Sequence, residues 1–449
     1  MAEYIEKELL RKAKIIYTAA LKAVEPETLI KQNVVLHDRH LFIQGKKFPF
    51  YDFENIYLVA IGKAGPFLAK SLINRLDNHI SGGIVLHLPQ NPISIKRITC
   101  LPASHPLPDR KSVDAARKVL EFAKEIKEKD LLFMLISGGG SSQLCLPAEG
   151  LPLKDKKVLT RSLLKAGADI KELNTVRKHL SKIKGGRLAR AIYPGTVINL
   201  VISDVVNNDL SSIASGPTFW DSTAYKDAFN ILKKYSLWEK APNSVKRIIE
   251  NGVRGNEEET LKKNSAVFSR VHNFIIGDNK TALQAAQQKA KELGFKAFVL
   301  TSSDRGEARV VARNYVSLLE ALIKSGRIRF APVCLLSGGE LTVTVRGKGM
   351  GGRNQEFILA VLNKMEKSPL KNKNWLILSL GSDGIDGTSD AAGAFILPST
   401  IKKAKKLCLD PASYLENNDS YTFFKNLDCL IITGYTKTNV MDIRIFLAS

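Results

Sequence analysis

Residues 131–142 read LLFMLISGGGSS. Six apolar residues in a row are too few for a membrane helix, which needs roughly 18. A short continuous apolar run bounded by turn residues reads as a strand buried on both faces, as in a parallel sheet. The three glycines and flanking serines read as a loop leaving that strand. Working outward, the same rhythm recurs in IYLVAI (56–61), GIVLHL (83–88), VINLVIS (197–203), FIIG (274–277), FVLT (298–301), VCLLS (333–337) and LILSL (376–380). Gly/Ser/Asp clusters and then helical periodicity follow these runs. This is the β–loop–α pattern of an open, largely parallel sheet. LTVTVR (341–346) alternates instead and predicts an exposed or antiparallel strand. VVLHDRHLFIQGKKFPF (34–50) predicts a hairpin, and Ile5, Leu9, Leu10, Ala13 and Tyr17 predict a helix over 3–25.

The 449 residues are enough for two or three domains. Between 225 and 272 the chain is rich in Lys, Glu and Asn, with one helix signal and no strand. The domain boundary is therefore expected at 240/241, giving domains 1–240 and 241–449. The charge balance is 67 − 44 = +23, but the lysines are dispersed. Aromatics make up 7% and do not interleave with the basic clusters, so no base-stacking platform is visible. Most lysines are read as solvated helix faces. Five scattered cysteines without a CxxC pair argue for reduced thiols in a cytoplasm. The start, MAEYIEKELLRKAK, has no apolar core segment, so no secretory leader is expected.

In open α/β sheets, ligands bind beyond the carboxyl ends of the strands. After 56–61 comes Gly62-Lys63-Ala64-Gly65 and a helical stretch. A lysine at a helix N-terminus is poorly placed for the helix dipole and well placed beside a bound anion. After 131–136 comes Ser137-Gly138-Gly139-Gly140-Ser141-Ser142, a candidate anion cradle that is not a GxxxxGK[ST] loop. Asp204 follows 197–203 and suits a metal or a hydroxyl proton. In the second half, Ser337-Gly338-Gly339-Glu340 follows one strand. Another is followed by GSDGIDG (381–387), with Asp383 and Asp386.

Arg353 follows Gly347-Lys348-Gly349-Met350-Gly351-Gly352, which satisfies GxGxxG. A dinucleotide site is disfavoured there, because the preceding strand alternates and Asp383 lies 383 − 352 = 31 residues past the last glycine. The helix around 170–183 starts with an Asp169-x-x-Glu172 capping box. It buries Leu173, Val176, Leu180 and Ile183 and ends at Gly185-Gly186, leaving Arg177, Ser181 and Lys184 on a solvated basic face. Together, two glycine-rich halves with acids and cations at their strand ends supply the parts of a phosphoryl-transfer site. No GxSxG elbow and no Cys–His arrangement supports acyl transfer.

The segments AIGKAG, SHPLPD, LISGGGSS, NTVRKHLSKIKGGRLA, SDVVNNDLSSIASGPT, SGGELTVTVRGKGMGGRNQE, GSDGIDGTSDAAGA and TGYTKTNV resemble, in order, the class II glycerate 2-kinase family. Its carboxy-terminal half is the MOFRL domain, and members are often labelled hydroxypyruvate reductase. The resemblance implies two α/β domains with the active site in the cleft between them. The expected fold is a Rossmann-like α/β/α sandwich with a mostly parallel sheet, followed by a smaller mixed-sheet α/β domain. It also implies ATP- and Mg2+-dependent phosphorylation of D-glycerate to 2-phosphoglycerate by a cytoplasmic monomer or homodimer. Neither nucleic acid nor membrane is implied.

Lys63, Arg353 and Asp204 match the family's catalytic positions. Residues 137–142 and 337–340 fall at matching places and are expected to bind substrate or nucleotide. Asp204 and Asp383 also match, one or the other being expected to hold Mg2+ or to accept the glycerate hydroxyl proton. The chain departs from the family at Asn207 and Asn208, where Gly and Asp are usual. It departs again at Tyr435, Lys437 and Met441, where Pro, Gly and Asn are usual. Asn tolerates left-handed backbone, so Asn207 is expected to keep its turn. The rival readings are a nicotinamide-dependent hydroxypyruvate reductase and a basic nucleic-acid-binding protein.

Overall fold

The computed structural model describes residues 2–325 and 332–448. Its strands, in chain order, are β1 (Val34–His37), β2 (His40–Ile43), β3 (Lys46–Pro49), β4 (Asn55–Ile61), β5 (Gly82–His87), β6 (Ile98–Pro102), β7 (Asp130–Ile136), β8 (Thr196–Ile202), β9 (Val271–Gly277), β10 (Lys296–Asp304), β11 (Val333–Gly339), β12 (Trp375–Gly381), β13 (Gly393–Ile396), β14 (Leu430–Ile431) and β15 (Asp442–Ala448). They belong to two compact units. One is Leu29–Ile276, and the other joins the chain before Leu29 to the chain after Ile276.

The boundary expected at 240/241 is therefore corrected to 276/277, for two reasons. The polar stretch after 225 folds into helices Tyr225–Lys234 and Asn243–Val253, whose Tyr225, Leu232, Val245 and Ile248 share a cluster with Leu159, Leu163, Leu173 and Val176. β9 then returns as an edge of the first sheet. The amino-terminal helix, Ala2–Ala23, packs on Asn279–Glu292 and so belongs to the second unit.

The first unit carries a six-stranded sheet in the order β6-β5-β4-β7-β8-β9, parallel from β6 through β8. Every residue of β7 is buried, as the apolar run requires. β4 and β7 pair from Asn55↔Asp130 to Ile61↔Ile136, so the loops after Ile61 and Ile136 leave the sheet side by side. The stretch read as a hairpin is a three-stranded antiparallel sheet, β1-β2-β3.

The second unit carries a mixed sheet in the order β10-β11-β15-β12-β13-β14. β10 and β11 are parallel, and the other neighbours are antiparallel. The central strand, β15, is not foreseen by the apolar pattern, because Asp442 and Arg444 interrupt it. LTVTVR is not a strand: its bridge is Thr342 with Glu307. Among the described residues no helix is long and apolar enough to cross a membrane.

Candidate active site

In the first unit the two neighbouring loops are stitched together. Lys63 N donates to Gly138 O at 2.8 Å, and Ala64 N donates to Ser137 Oγ at 2.9 Å. Gly62 N donates to Gln143 Oε1 at 2.7 Å. A Cβ on Gly62 would lie 2.3 Å from Ser137 O, and its φ of +93° also favours glycine. Ser137 is buried and its hydroxyl is spent inside the fold, so it acts as a latch for the lysine loop. Gly138 and Gly140 are buried as well. Gly139, Ser141 and Ser142 are the partly exposed part of the expected cradle.

Those three residues and Asp204 line a cavity of about 450 Å³, together with His105, Lys156 and Arg177. Lys63 is not among its lining residues. Ser142 Oγ donates to Gly139 O, and Ser141 Oγ shares a hydrogen bond with Ser215 Oγ at 2.9 Å.

The capping box at Asp169 and Glu172 forms as read, but the helix ends at His179. Ser181 then runs into a bridge with Pro147, and Leu180 O accepts from Lys156 Nζ at 2.7 Å. The expected solvated basic face is corrected accordingly. Lys184 is 1% exposed, with Nζ donating to Ser141 O, Ser141 Oγ and Ala214 O at 2.9, 2.9 and 3.1 Å. Burial first, and then Lys156 and Arg177, pull its ammonium down to about 7. Lys184 escaped sequence reasoning because a 3–4–3 apolar spacing carried past Leu180 places it on the wrong element.

Asn207 does adopt left-handed backbone, with φ 66° and ψ 14°, as expected for a residue standing where glycine is usual. Asn208 and Lys437 share that region, with φ of 55° and 65°.

In the second unit the carboxyl ends of β11 and β12 meet the start of β15, with Asp442 opposite both Gly339 and Gly381. Ser337-Gly338-Gly339 is the end of β11 rather than a loop. A Cβ on Gly338 would meet Asn279 Oδ1 at 2.0 Å, and one on Gly339 would meet Asp304 N at 2.3 Å. Those glycines serve packing, and of that motif Glu340 is the residue that reaches Arg353.

Arg353 opens the helix Arg353–Met365. Its Nε donates to Asp442 Oδ2 at 2.8 Å and its Nη1 to Glu340 Oε1 at 2.7 Å. Burial opposes this charge, but Asp442 and Glu340 hold the guanidinium more firmly protonated. Partial burial pushes the Glu340 carboxyl up, and Asp442 and Asp383 push in the same sense against Arg353.

Arg444 continues the chain of charges from Asp442 to Asp304, which also accepts from Tyr315 Oη at 2.6 Å. Asp386 accepts from Asn354 N and Gln355 N at 3.0 and 2.8 Å and so fixes the start of the arginine helix. Asp383 follows β12, with Oδ1 accepting from Ile385 N. The sequence reading missed Asp304 and Arg444 and gave Asp442 no role. The available signal is a charged pair at i and i+2 within an apolar run, since both residues then share one strand face.

The GKGMGG glycines have a packing reason of their own. Added Cβ atoms on Gly347, Gly349, Gly351 and Gly352 would lie 2.1–2.4 Å from Asn417, Asp419, Ser420 and Asp386. β11 ends at Gly339, well before the loop, so the buried strand that a dinucleotide fingerprint needs is not there.

Comparison with known proteins places these features in one group. A domain of unknown function, DUF4147, matches residues 12–250, and the MOFRL family matches residues 333–442. The chain is 41% identical to a glycerate 2-kinase of Pyrococcus horikoshii over 95% of this chain and 94% of that one. It is 38% identical to a D-glycerate 2-kinase of Thermotoga maritima over 98% of both. The crystal structure of a glycerate kinase from Thermotoga maritima superposes with a TM-score of 0.85 at 37% identity, covering 99% of this chain and all of the other. With both domains matched in order and these relatives aligned almost end to end, the chain belongs to the glycerate kinase family that joins a DUF4147 domain to a MOFRL domain.

Proposed function

We propose that the protein transfers the terminal phosphoryl group of ATP to the 2-hydroxyl of D-glycerate, giving 2-phosphoglycerate and ADP. The observation that carries this reading is the near end-to-end likeness to the glycerate 2-kinase of Pyrococcus horikoshii. The geometry of each unit supports it. Phosphoryl transfer asks the protein for positioning and for fixed charge around the equatorial oxygens. Lys63, at a strand end of the first unit, and Arg353, clamped by Asp442 and Glu340 in the second, supply that charge. A guanidinium already oriented by carboxylates needs little reorganisation when negative charge develops. Asp204 or Asp383 receives the proton of the glycerate hydroxyl or holds the metal. Gly139, Ser141 and Ser142 from the 137–142 loop, and Glu340 from the 337–340 segment, contribute to ligand binding.

Among the described residues no group of three or more His, Cys, Asp or Glu side chains forms a metal cage. Mg2+ does not need one, since it takes one or two carboxylates and completes its shell with phosphate and water. Asp204 or Asp383 suits that demand, and Mg2+ held by either one would neutralise phosphate charge. The protein works on small molecules, as a monomer or homodimer in the cytoplasm, without nucleic acid or membrane.

Reduction of hydroxypyruvate gains nothing from the GKGMGG loop, whose glycines are required by their neighbours. Two parallel assays separate the chemistries. ADP should appear only when D-glycerate is added with ATP and Mg2+, and NADH should stay unoxidised with hydroxypyruvate. NADH oxidation without glycerate-dependent ADP would overturn the kinase reading.

A further inference from the structure

The cavity in the first unit is unusual in its charge. Five basic side chains line it, Lys156, Lys157, Arg161, Arg177 and Lys184, against the single carboxylate of Asp204. Two of the five are deeply buried, Lys156 at 6% and Lys184 at 1% exposed. Their ammonium groups donate to neutral oxygens, Leu180 O for Lys156 and Ser141 and Ala214 for Lys184. A buried charge without a counter-charge is costly, and the fold shows how it answers when the role is structural. Lys178, buried nearby on the Ile170–His179 helix, is paired with the fully buried Asp221 at 2.6 Å. Among the described residues none of the five cavity cations has such a pair. Burial makes the protonated forms of Lys156, Arg177 and Lys184 less favourable, and repulsion from neighbouring cations adds to this at Lys156 and Lys184.

His105, Ser141, Ser142 and Thr160 add polar groups to the wall, and another part of it is apolar. Leu107, Leu164 and Ile170 line the cavity and are 47, 55 and 50% exposed. A cationic floor beside an exposed apolar wall matches a ligand with a polyanionic tail and a flat, weakly polar body. A volume near 450 Å³ admits such a small molecule and no duplex. D-Glycerate has one negative charge and no apolar part, so it answers neither feature.

We propose that this cavity binds the donor nucleotide, with its polyphosphate tail on Arg161, Arg177, Lys156 and Lys157. Lys184 is a positioning residue that pins Ser141 to the 213–215 turn. This assignment rests on the kinase reading for the identity of the ligand, and the binding test below does not depend on turnover.

The test is calorimetric titration of the full chain with ADP, with inorganic tripolyphosphate and with D-glycerate. Arg161→Gln is a mild variant, because Arg161 is exposed and its loss leaves the core intact. Arg177→Gln removes a half-buried cation. The wild type should bind both ADP and tripolyphosphate, and each variant should weaken both by about tenfold or more. D-Glycerate affinity should stay within about twofold.

Wild-type protein that ignores tripolyphosphate, variants that bind it unchanged, or variants that lose D-glycerate instead would each overturn the assignment. Failure of the kinase reading looks different. Tripolyphosphate binding would persist and fall in the variants, while no glycerate-dependent ADP formed.

Discussion

The guanidinium of Arg353 rests on the carboxylate of Asp442, Nε to Oδ2 at 2.8 Å, and Asp442 is fully buried between Arg353 and Arg444. The arginine is therefore oriented from the central strand of the second sheet, not from its own helix. Asp442→Asn should leave Arg353 present but loosely aimed. Turnover should fall about tenfold or more, roughly 1.4 kcal/mol of barrier. Steady-state kinetics check this, with Arg353→Lys as the companion variant, since an ammonium cannot keep both the Asp442 and Glu340 contacts. Unchanged turnover in Asp442→Asn would detach Arg353 from the chemistry.

Lys63 and Arg353 are assigned the same task from different units. Lys63→Ala and Arg353→Ala should each reduce turnover at least about tenfold. Circular dichroism and melting temperature should stay near wild type for Lys63→Ala, whose backbone bond to Gly138 is retained. Either variant turning over at the wild-type rate would remove that residue from the mechanism.

Gly62 is required by contact as well as by backbone. An added methyl would meet Ser137 O at 2.3 Å, whereas at Gly45, with a similar φ of +82°, it would meet nothing within 4 Å. Gly62→Ala should destabilise the protein by at least about 2 kcal/mol, and Gly45→Ala by only about 1 kcal/mol from strain alone. Urea unfolding of both variants tests the difference. Equal losses would mean that the latch between the two loops contributes nothing.

Acid should loosen the helical part of the first unit early. Lys234 and Tyr235 hold the Glu172 carboxyl down at about 2. Burial works against ionisation of Glu259, but His179 and the Thr260 and Tyr225 amides hold it at about 2 as well. A carboxyl lowered in the fold binds fewer protons there than in the unfolded chain between about pH 2 and 4.5. Its contribution is whole above about pH 4.5 and is lost as pH falls toward 2. Glu172→Gln and Glu259→Gln should each lower stability at pH 7 and flatten its dependence between pH 5 and 3. Parallel pH–stability curves for variants and wild type would contradict this.

Legibility followed burial. β4 and β7 are continuous apolar runs, and the structure extends each by one residue at its start. The loops behind them were visible because runs of glycine and serine mark the turn that follows a buried strand, although β11 keeps Ser337-Gly338-Gly339 within the strand itself. β15 was invisible for the converse reason. Asp442 and Arg444 are charged, and a charge in a core strand makes sense only once its partners on β10 and on the Arg353 helix are known.

LTVTVR shows the opposite error: an alternating pattern satisfied by loop packing around Glu307. Lys184 shows a third, a periodicity that outran its helix. The domain boundary was misread because residues 225–253 bury their apolar faces against other helices instead of a sheet. The glycines of GKGMGG and SGG are close approaches, and what comes close is the protein's own chain.

The most direct test of the central claim is phosphorus NMR of the product formed from ATP, Mg2+ and D-glycerate. The account predicts 2-phosphoglycerate, appearing in step with ADP. A product phosphorylated at the 3-hydroxyl, or ATP left intact beside D-glycerate, would contradict it.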